Sequence, residues 1–240
     1  MANVLEIQVV NINGLSYTKE VVRGLKHQNA PFSLKIVDQA SEEYGTVNYF
    51  NWLEMVWQVI MSHARDFQVQ INTHHRPLNS LWNEFYESTK GNYLCFLNND
   101  VELPGNFVSD TVSVLDLEPE VGIVIHATNC LTQQEELKYE ILETGWVQGW
   151  DHTVRREAFT PIPEQLHTYG GDDWLFCNAY DKGWKVAVIL SSPIVHYGKR
   201  SRHSMYGGPR HKRHDEANAK ELGILRGYRY GSPWAKRYKE

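Results

Sequence analysis

Cysteine is scarce in this sequence: Cys95, Cys130 and Cys177 are the only three in 240 residues. An odd number, widely separated and without zinc-site spacing, excludes a disulfide framework and suits buried free thiols in a reducing compartment. Long apolar runs are missing too. No window approaches the ~18 uninterrupted apolar residues of a membrane span. The opening Met1-Ala2-Asn3-Val4-Leu5-Glu6 has neither the basic start nor the apolar stretch of a secretory leader. Internal repeats and low-complexity segments are absent. The expectation is a cytoplasmic protein with no transmembrane segment.

What is present is ordinary globular material, 42% hydrophobic and 22% charged. A chain of this length buries roughly 70–75% of its unfolded surface and leaves little room for two full domains. The net charge of −5 hides a split. Residues 1–198 carry 12 basic against 25 acidic side chains, or −13, and residues 199–240 carry 12 against 4, or +8. A basic segment on an acidic body suits an anionic partner: a phosphate group, a nucleic acid or a membrane surface.

The first half alternates between strand and helix patterns. Val4–Val10, Phe32–Asp38, Phe67–Ile71, Tyr93–Leu97 and Val121–Ile125 read as strands. Helical spacing separates them, with Ser16 or Thr18 as N-cap of the first helix and residues 47–64 as the second. Such alternation implies a mostly parallel, doubly wound α/β sheet. Ligands on such sheets bind beyond the carboxyl ends of the strands. That rule singles out Asn11–Asn13, Asp38 and Asn98–Asp100. In the second half, Trp146–Phe159 holds two short strand-like pieces, 173–183 is helical, Trp184–Leu190 is a strand, and one helix is expected near 214–223.

Several residues have the chemistry for a site, each with an alternative. Asp100, after two asparagines at a strand end, suits a hard cation such as Mg²⁺ or Mn²⁺, or an ordinary turn. Asp172-Asp173 after Gly170-Gly171 suits a general base with an orienting neighbour, or a helix start favoured by the dipole. His196, closing an apolar run, suits a metal ligand or a structural histidine. Trp146 and Trp150 around Gly149 suit stacking on a sugar or base, or core packing.

The order of these elements is more specific than any one of them. Asn11-Ile12-Asn13-Gly14 is followed by Asp38, then Asn83 with Gly91, then Asn98-Asn99-Asp100. Gly149 with Val154-Arg155-Arg156-Glu157-Ala158-Phe159, Gly171-Asp172-Asp173-Trp174 and His196-Tyr197-Gly198 complete the series. The succession, over residues 5–198, resembles the family 2 inverting nucleotide-sugar glycosyltransferases of GT-A fold, of phage or bacterial type. The resemblance implies a GT-A domain over 1–198 and a basic extension over 199–240. Within the domain, 1–101 would be the nucleotide-sugar half and 102–198 the acceptor half with a smaller subsheet.

It also implies roles. Asp38, beside the loop of Asn11 and Asn13, would contact the nucleotide. Asn83, Asn98, Asn99 and Gly149 would belong to the donor site, with Lys199, Arg200 and Arg202 closing on the diphosphate. Asp100 would carry most of the contact to Mn²⁺ or Mg²⁺, because Asn98 stands where the family's first aspartate would be, and His196 would assist. Either Asp172 or Asp173 would be the base. Counting back from Gly183 favours Asp172, direct placement on the family's acidic pair favours Asp173, and Asp172 is preferred. Trp146, Trp150 and Trp174 would meet the acceptor. The donor would be a nucleoside-diphosphate sugar, UDP-linked by preference. The acceptor could be a hydroxymethylated base in DNA, because Tyr206, Tyr228, Tyr230, Trp234 and Tyr238 lie among ten Arg and Lys between Arg202 and Lys239, a pattern suited to nucleic acid. A surface polysaccharide or lipid-linked glycan is the alternative, and a non-catalytic nucleotide- or glycan-binding module is an alternative of another class.

Overall fold

The computed structural model describes residues 5–128, 133–143, 145, 148–198, 220–221 and 223–225. A nine-stranded sheet with helices on both faces organises them. Strands β1 (Leu5–Asn11), β2 (Phe32–Gln39), β3 (Ala64–Asn72) and β4 (Tyr93–Asn98) alternate with helices α1 (Leu15–Lys26), α2 (Thr46–Ile60) and α3 (Leu78–Ser88). All pairings within this half are parallel, in the order β3-β2-β1-β4. β4 is buried along nearly its whole length, as a strand covered on both faces must be.

Beyond β4 the sheet becomes mixed. After the short β5 (Val101–Glu102) and α4 (Phe107–Leu117), β6 (Val121–Thr128) does not pair with β4. The antiparallel β8 (Asp151–Arg155) lies between them. The physical reason is visible in the two arginines around the end of β8. Arg155 donates to the carbonyls of Val121, Leu115 and Glu118, and Arg156 to those of Gly91 and Tyr86. Together they staple β8 to both neighbours. The long β9 (Lys185–His196) pairs in parallel with β6 and antiparallel with β7 (Tyr139–Leu142) and β5, forming the smaller subsheet. Helix α5 (Gly171–Asp181) lies between β8 and β9 in the chain.

Two apolar clusters lie on opposite sides of the sheet. One joins Ile7, Val9, Ile36, Phe50, Leu97, Phe107 and Ile189. The other joins Trp82, Phe85, Phe96, Phe159, Phe176 and Leu225. Cys95 and Cys177 are buried and free, and burial pushes the Cys95 thiol up to about 12. The first helix begins earlier than expected, with Gly14 at its N-cap. Its first N–H is taken by Glu43 Oε2 at 2.8 Å from the next loop, and the Thr18 hydroxyl donates to Asn11 instead. No helix among the described residues is long and apolar enough to cross a membrane. Residues 220–221 and 223–225 are helical; the rest of the expected 214–223 helix lies outside the described residues.

Candidate functional site

The parallel register sets the first part of the site. Asn11 pairs with Asp38 and Val10 with Asn98, so the ends of β1, β2 and β4 meet at one edge. Their polar side chains bind one another. Asn11 Nδ2 donates to Asp38 Oδ1 at 2.7 Å, and Ser41 adds its hydroxyl at 2.6 Å and its backbone N–H at 3.0 Å to the same carboxylate. Asn99 Nδ2 donates to Asn11 Oδ1 at 3.2 Å and to Thr18 Oγ1 at 3.2 Å. Asn13, in left-handed backbone at φ 45°, accepts the N–H groups of Glu42 and Glu43 on Oδ1. Asn11, Asp38 and Asn99 are buried. Buried polar groups need such partners, and the result is a rigid frame at the carboxyl edge.

Asp100 lies beside this frame with a different character. Its carboxylate is buried, and Oδ1 has no hydrogen-bond partner among the described residues. The His196 imidazole faces it, with Nε2 3.4 Å from Oδ1. Register explains the meeting: Val101 pairs with His196, and Tyr197 N–H donates to the Asp100 carbonyl at 3.0 Å. Leaving a buried carboxylate oxygen without a donor is costly. An oxygen and an imidazole nitrogen converging this way fit two protein positions of a Mn²⁺ or Mg²⁺ site whose other ligands are water and phosphate. No group of three or more candidate ligands exists among the described residues, which by themselves do not build a closed cage.

The second part centres on Asp172. Gly170 caps α5 in the left-handed conformation at φ 66°. Gly171 follows with Asn79 packed so closely that any side chain there would strike Asn79 Oδ1. Asp172 then points at Gly149, where an added Cβ would lie 2.6 Å from Asp172 Oδ2. Burial, followed by the negative charge of Asp173, pushes the Asp172 carboxyl up to about 6, while backbone N–H groups of the helix start pull the other way. A carboxylate in that range suits a general base near neutral pH.

The turn carrying Gly149 joins the two parts. Its next residue, Trp150, stacks on His196 with ring centroids 4.9 Å apart and planes 16° from parallel. The Trp150 carbonyl accepts Asn98 N–H at 2.9 Å. Beneath the turn lies a buried cluster that the sequence reading did not single out. Asp151 Oδ2 accepts His126 N–H at 3.0 Å and lies 2.9 Å from His126 Nδ1. Gln148 donates to Asp151 Oδ1. Burial pushes the Asp151 carboxyl up, and the His126 hydrogen bonds oppose that. The available signal was His126, an imidazole that extends the apolar run Val121–Ile125.

Other expected site residues are placed elsewhere. Asn83 spends its amide on the backbone of Ile162, donating to O and accepting N–H at 2.8 Å each, and so braces a loop. The Trp174 indole N–H donates to Pro161 O at 3.1 Å, and its ring packs against the second apolar cluster. Trp146, Lys199, Arg200 and Arg202 lie outside the described residues. One anchor was not anticipated: Glu221 accepts the N–H groups of Thr168 and Tyr169 at 2.8 and 2.6 Å, and Leu225 is fully buried beside Gly170. Chain well past β9 thereby holds the loop that leads into Asp172.

No protein-family model matches the chain, and no curated protein matches it in sequence. Solved structures do. S. aureus TarS residues 1–349 superpose with a TM-score of 0.63 at 13% identity, over 98% of this chain and 75% of that one; the same fragment has been solved with UDP-GlcNAc and with UDP. The mannosyltransferase PcManGT from Pyrobaculum calidifontis, in complex with GDP-Man and Mn²⁺, gives 0.66 at 16% identity over 91% of this chain and 64% of that one. GalNAc-T7 with UDP, GalNAc and Mn²⁺ gives 0.62 at 12% over 81%, of which the chain spans 44%. The mixed nine-stranded sheet described above is therefore a GT-A fold, the architecture of these nucleotide-sugar glycosyltransferases.

Proposed function

We propose that this chain is an inverting, divalent-cation-dependent glycosyltransferase that moves a sugar from a nucleoside-diphosphate donor, UDP-linked by preference, to an acceptor hydroxyl. One observation carries the reading. The Gly149-Trp150 turn touches a carboxylate of general-base character on one side and the Asp100–His196 pair on the other. The nucleotide sugars and Mn²⁺ bound by the structural neighbours support it.

In this reading residues 1–198 form the transferase, 1–101 holding the nucleotide and 102–198 the acceptor. The Asn11–Asn13–Asp38 frame receives the nucleoside, and its rigidity limits the ordering cost of binding. Asp100 and His196 would hold Mn²⁺ or Mg²⁺, which when bound offsets the charge of the departing diphosphate. Lys199, Arg200 and Arg202, three to six residues after His196 in sequence, add positive charge for the same diphosphate. Asp172 takes the acceptor hydroxyl proton. The acceptor oxygen attacks the anomeric carbon from the face opposite the diphosphate, and the bond to the diphosphate oxygen breaks in the same displacement, which inverts the centre. Asp173 orients sugar or acceptor hydroxyls.

The +8 charge of residues 199–240 and their interleaved aromatics suit an anionic acceptor, and we propose a hydroxymethylated base in DNA, with a surface polysaccharide or lipid-linked glycan as the alternative. Counterion-release binding is strongest at low salt. A salt-sensitive gel shift lost on deletion of residues 206–240 is expected, and no binding at ~50 mM salt would redirect the search to polysaccharide or lipid-linked glycan.

The deciding experiment is a thermal-shift screen with UDP, GDP and CDP plus Mn²⁺, followed by transfer and donor-hydrolysis assays. Asp172→Asn should remove turnover and Asp173→Asn reduce it. Near wild-type rates in both would overturn the catalytic assignment, and binding without turnover of any donor would make the chain a binding module.

A further inference from the structure

We infer that His126, Gln148 and Asp151 form a buried positioning device that holds the Gly149-Trp150 turn, and through it fixes the Asp172 carboxylate and the His196 imidazole relative to one another. The inference rests on the transferase reading and adds to it three residues that touch no reacting atom.

The three are almost completely inaccessible, at 1%, 3% and 1% exposure. Both oxygens of the Asp151 carboxylate are engaged. Oδ2 takes the His126 backbone N–H and faces Nδ1, and Oδ1 takes Gln148 Nε2. The Gln148 amide also reaches Asp151 O at 3.1 Å and His126 O at 3.4 Å. The far side of the imidazole is fixed too. Phe107 stacks on it with centroids 4.4 Å apart, and Thr111 Oγ1 lies 3.4 Å from Nε2. The network therefore ties both ends of a four-residue turn, 148 and 151, to one residue of β6.

A buried carboxylate and imidazole are an inefficient way to stabilise a core, because well-packed apolar residues often do as well or better. What directional bonds add is a defined backbone position. Here that position matters twice. Gly149 leaves no space for even a Cβ beside Asp172, and Trp150 lies flat on His196. A shift of the turn moves the base side and the cation side together, and misplacement of reacting groups by 1 Å can cost about 10²-fold in rate. Simple packing in the same place would not require both ends of the turn to converge on His126.

The test uses the full-length protein and begins with wild-type transfer, because the absence of transfer from any nucleotide donor overturns the transferase reading and this inference with it. Asp151→Asn keeps the shape and removes the charge. Gln148→Met, a near-isosteric second variant, removes only the amide and guards against failure to fold. Leu53→Ala, a core change in α2 remote from the turn, is the control, compared at temperatures equally far below each melting point. In the two turn variants kcat should fall by about tenfold or more, and calorimetric affinity for UDP with Mn²⁺ should weaken by at least about threefold, since both sides of the site move. The Leu53→Ala control should keep both quantities within about twofold, because additivity holds for distant sites. Normal kcat and normal UDP–Mn²⁺ affinity in both turn variants would overturn the inference alone. Equal losses in the Leu53→Ala control would do the same, by reducing the effect to stability.

Discussion

Replacing Asp172 by asparagine should make the protein more stable while it destroys transfer. Asp172 carries a carboxyl raised from an ordinary 3.8 to about 6 by burial and by Asp173. A folded-state value above the unfolded one means that the folded chain holds the proton more tightly. The associated stability is fully present below about pH 4 and is lost as pH rises through about 6. At 1.36 kcal/mol per unit, the roughly two-unit rise corresponds to about 3 kcal/mol lost at pH 8. Partial exposure of the side chain screens some of this, leaving about 2 kcal/mol. The asparagine is neutral throughout and escapes the loss. Urea-unfolding curves of wild type and Asp172→Asn at pH 5 and pH 8 measure it directly. The variant should be the more stable at pH 8, and its advantage should grow by about 1 kcal/mol between the two pH values. Transfer should fall by at least ~10²-fold, the usual contribution of a general base. An advantage that does not change with pH, or a variant less stable than wild type at pH 8, would refute the claim that this carboxylate is held ionised against its surroundings.

The same shift predicts a wild-type kcat that falls about tenfold per unit below pH 6, with Asp173→Asn moving this acid limb to lower pH because the neighbouring negative charge is gone; pH–rate profiles check both. Gly149→Ala places a Cβ 2.6 Å from Asp172 Oδ2, so kcat should drop by about 10²-fold in a protein that still melts cooperatively. EDTA should abolish transfer and Mn²⁺ restore it, and Asp100→Asn should raise the Mn²⁺ concentration needed for half-maximal rate. Leu225→Ala empties a fully buried position beside Gly170 and should cost about 2–4 kcal/mol by urea unfolding.

Elements with strong periodicity were legible in the sequence, and contacts between distant residues were not. The apolar run of β4 and the polar cluster that ends it announce a central strand and a polar carboxyl edge, and the register pairs Asn11 with Asp38 and the preceding Val10 with Asn98. The insertion of antiparallel β8 between β4 and β6 has no local signal, because Arg155 and Arg156 act through carbonyls 34 to 70 residues away. His126 and Asp151 are 25 residues apart, each unremarkable alone. The ordered motifs that suggest a transferase contain residues of two physical kinds. Asn13, Asn83, Arg155 and Arg156 satisfy backbone groups and hold loops, so their order reports the fold. Asp100 Oδ1, buried with no hydrogen-bond partner among the described residues, and the Asp172 carboxyl, raised by burial and by Asp173, are of the other kind. A residue type and its spacing are the same in both cases. Only the inventory of partners separates an asparagine that braces a loop from a buried aspartate oxygen with no hydrogen-bond partner, and for that reason the fold could be read along the chain while candidate site residues had to be sought across it.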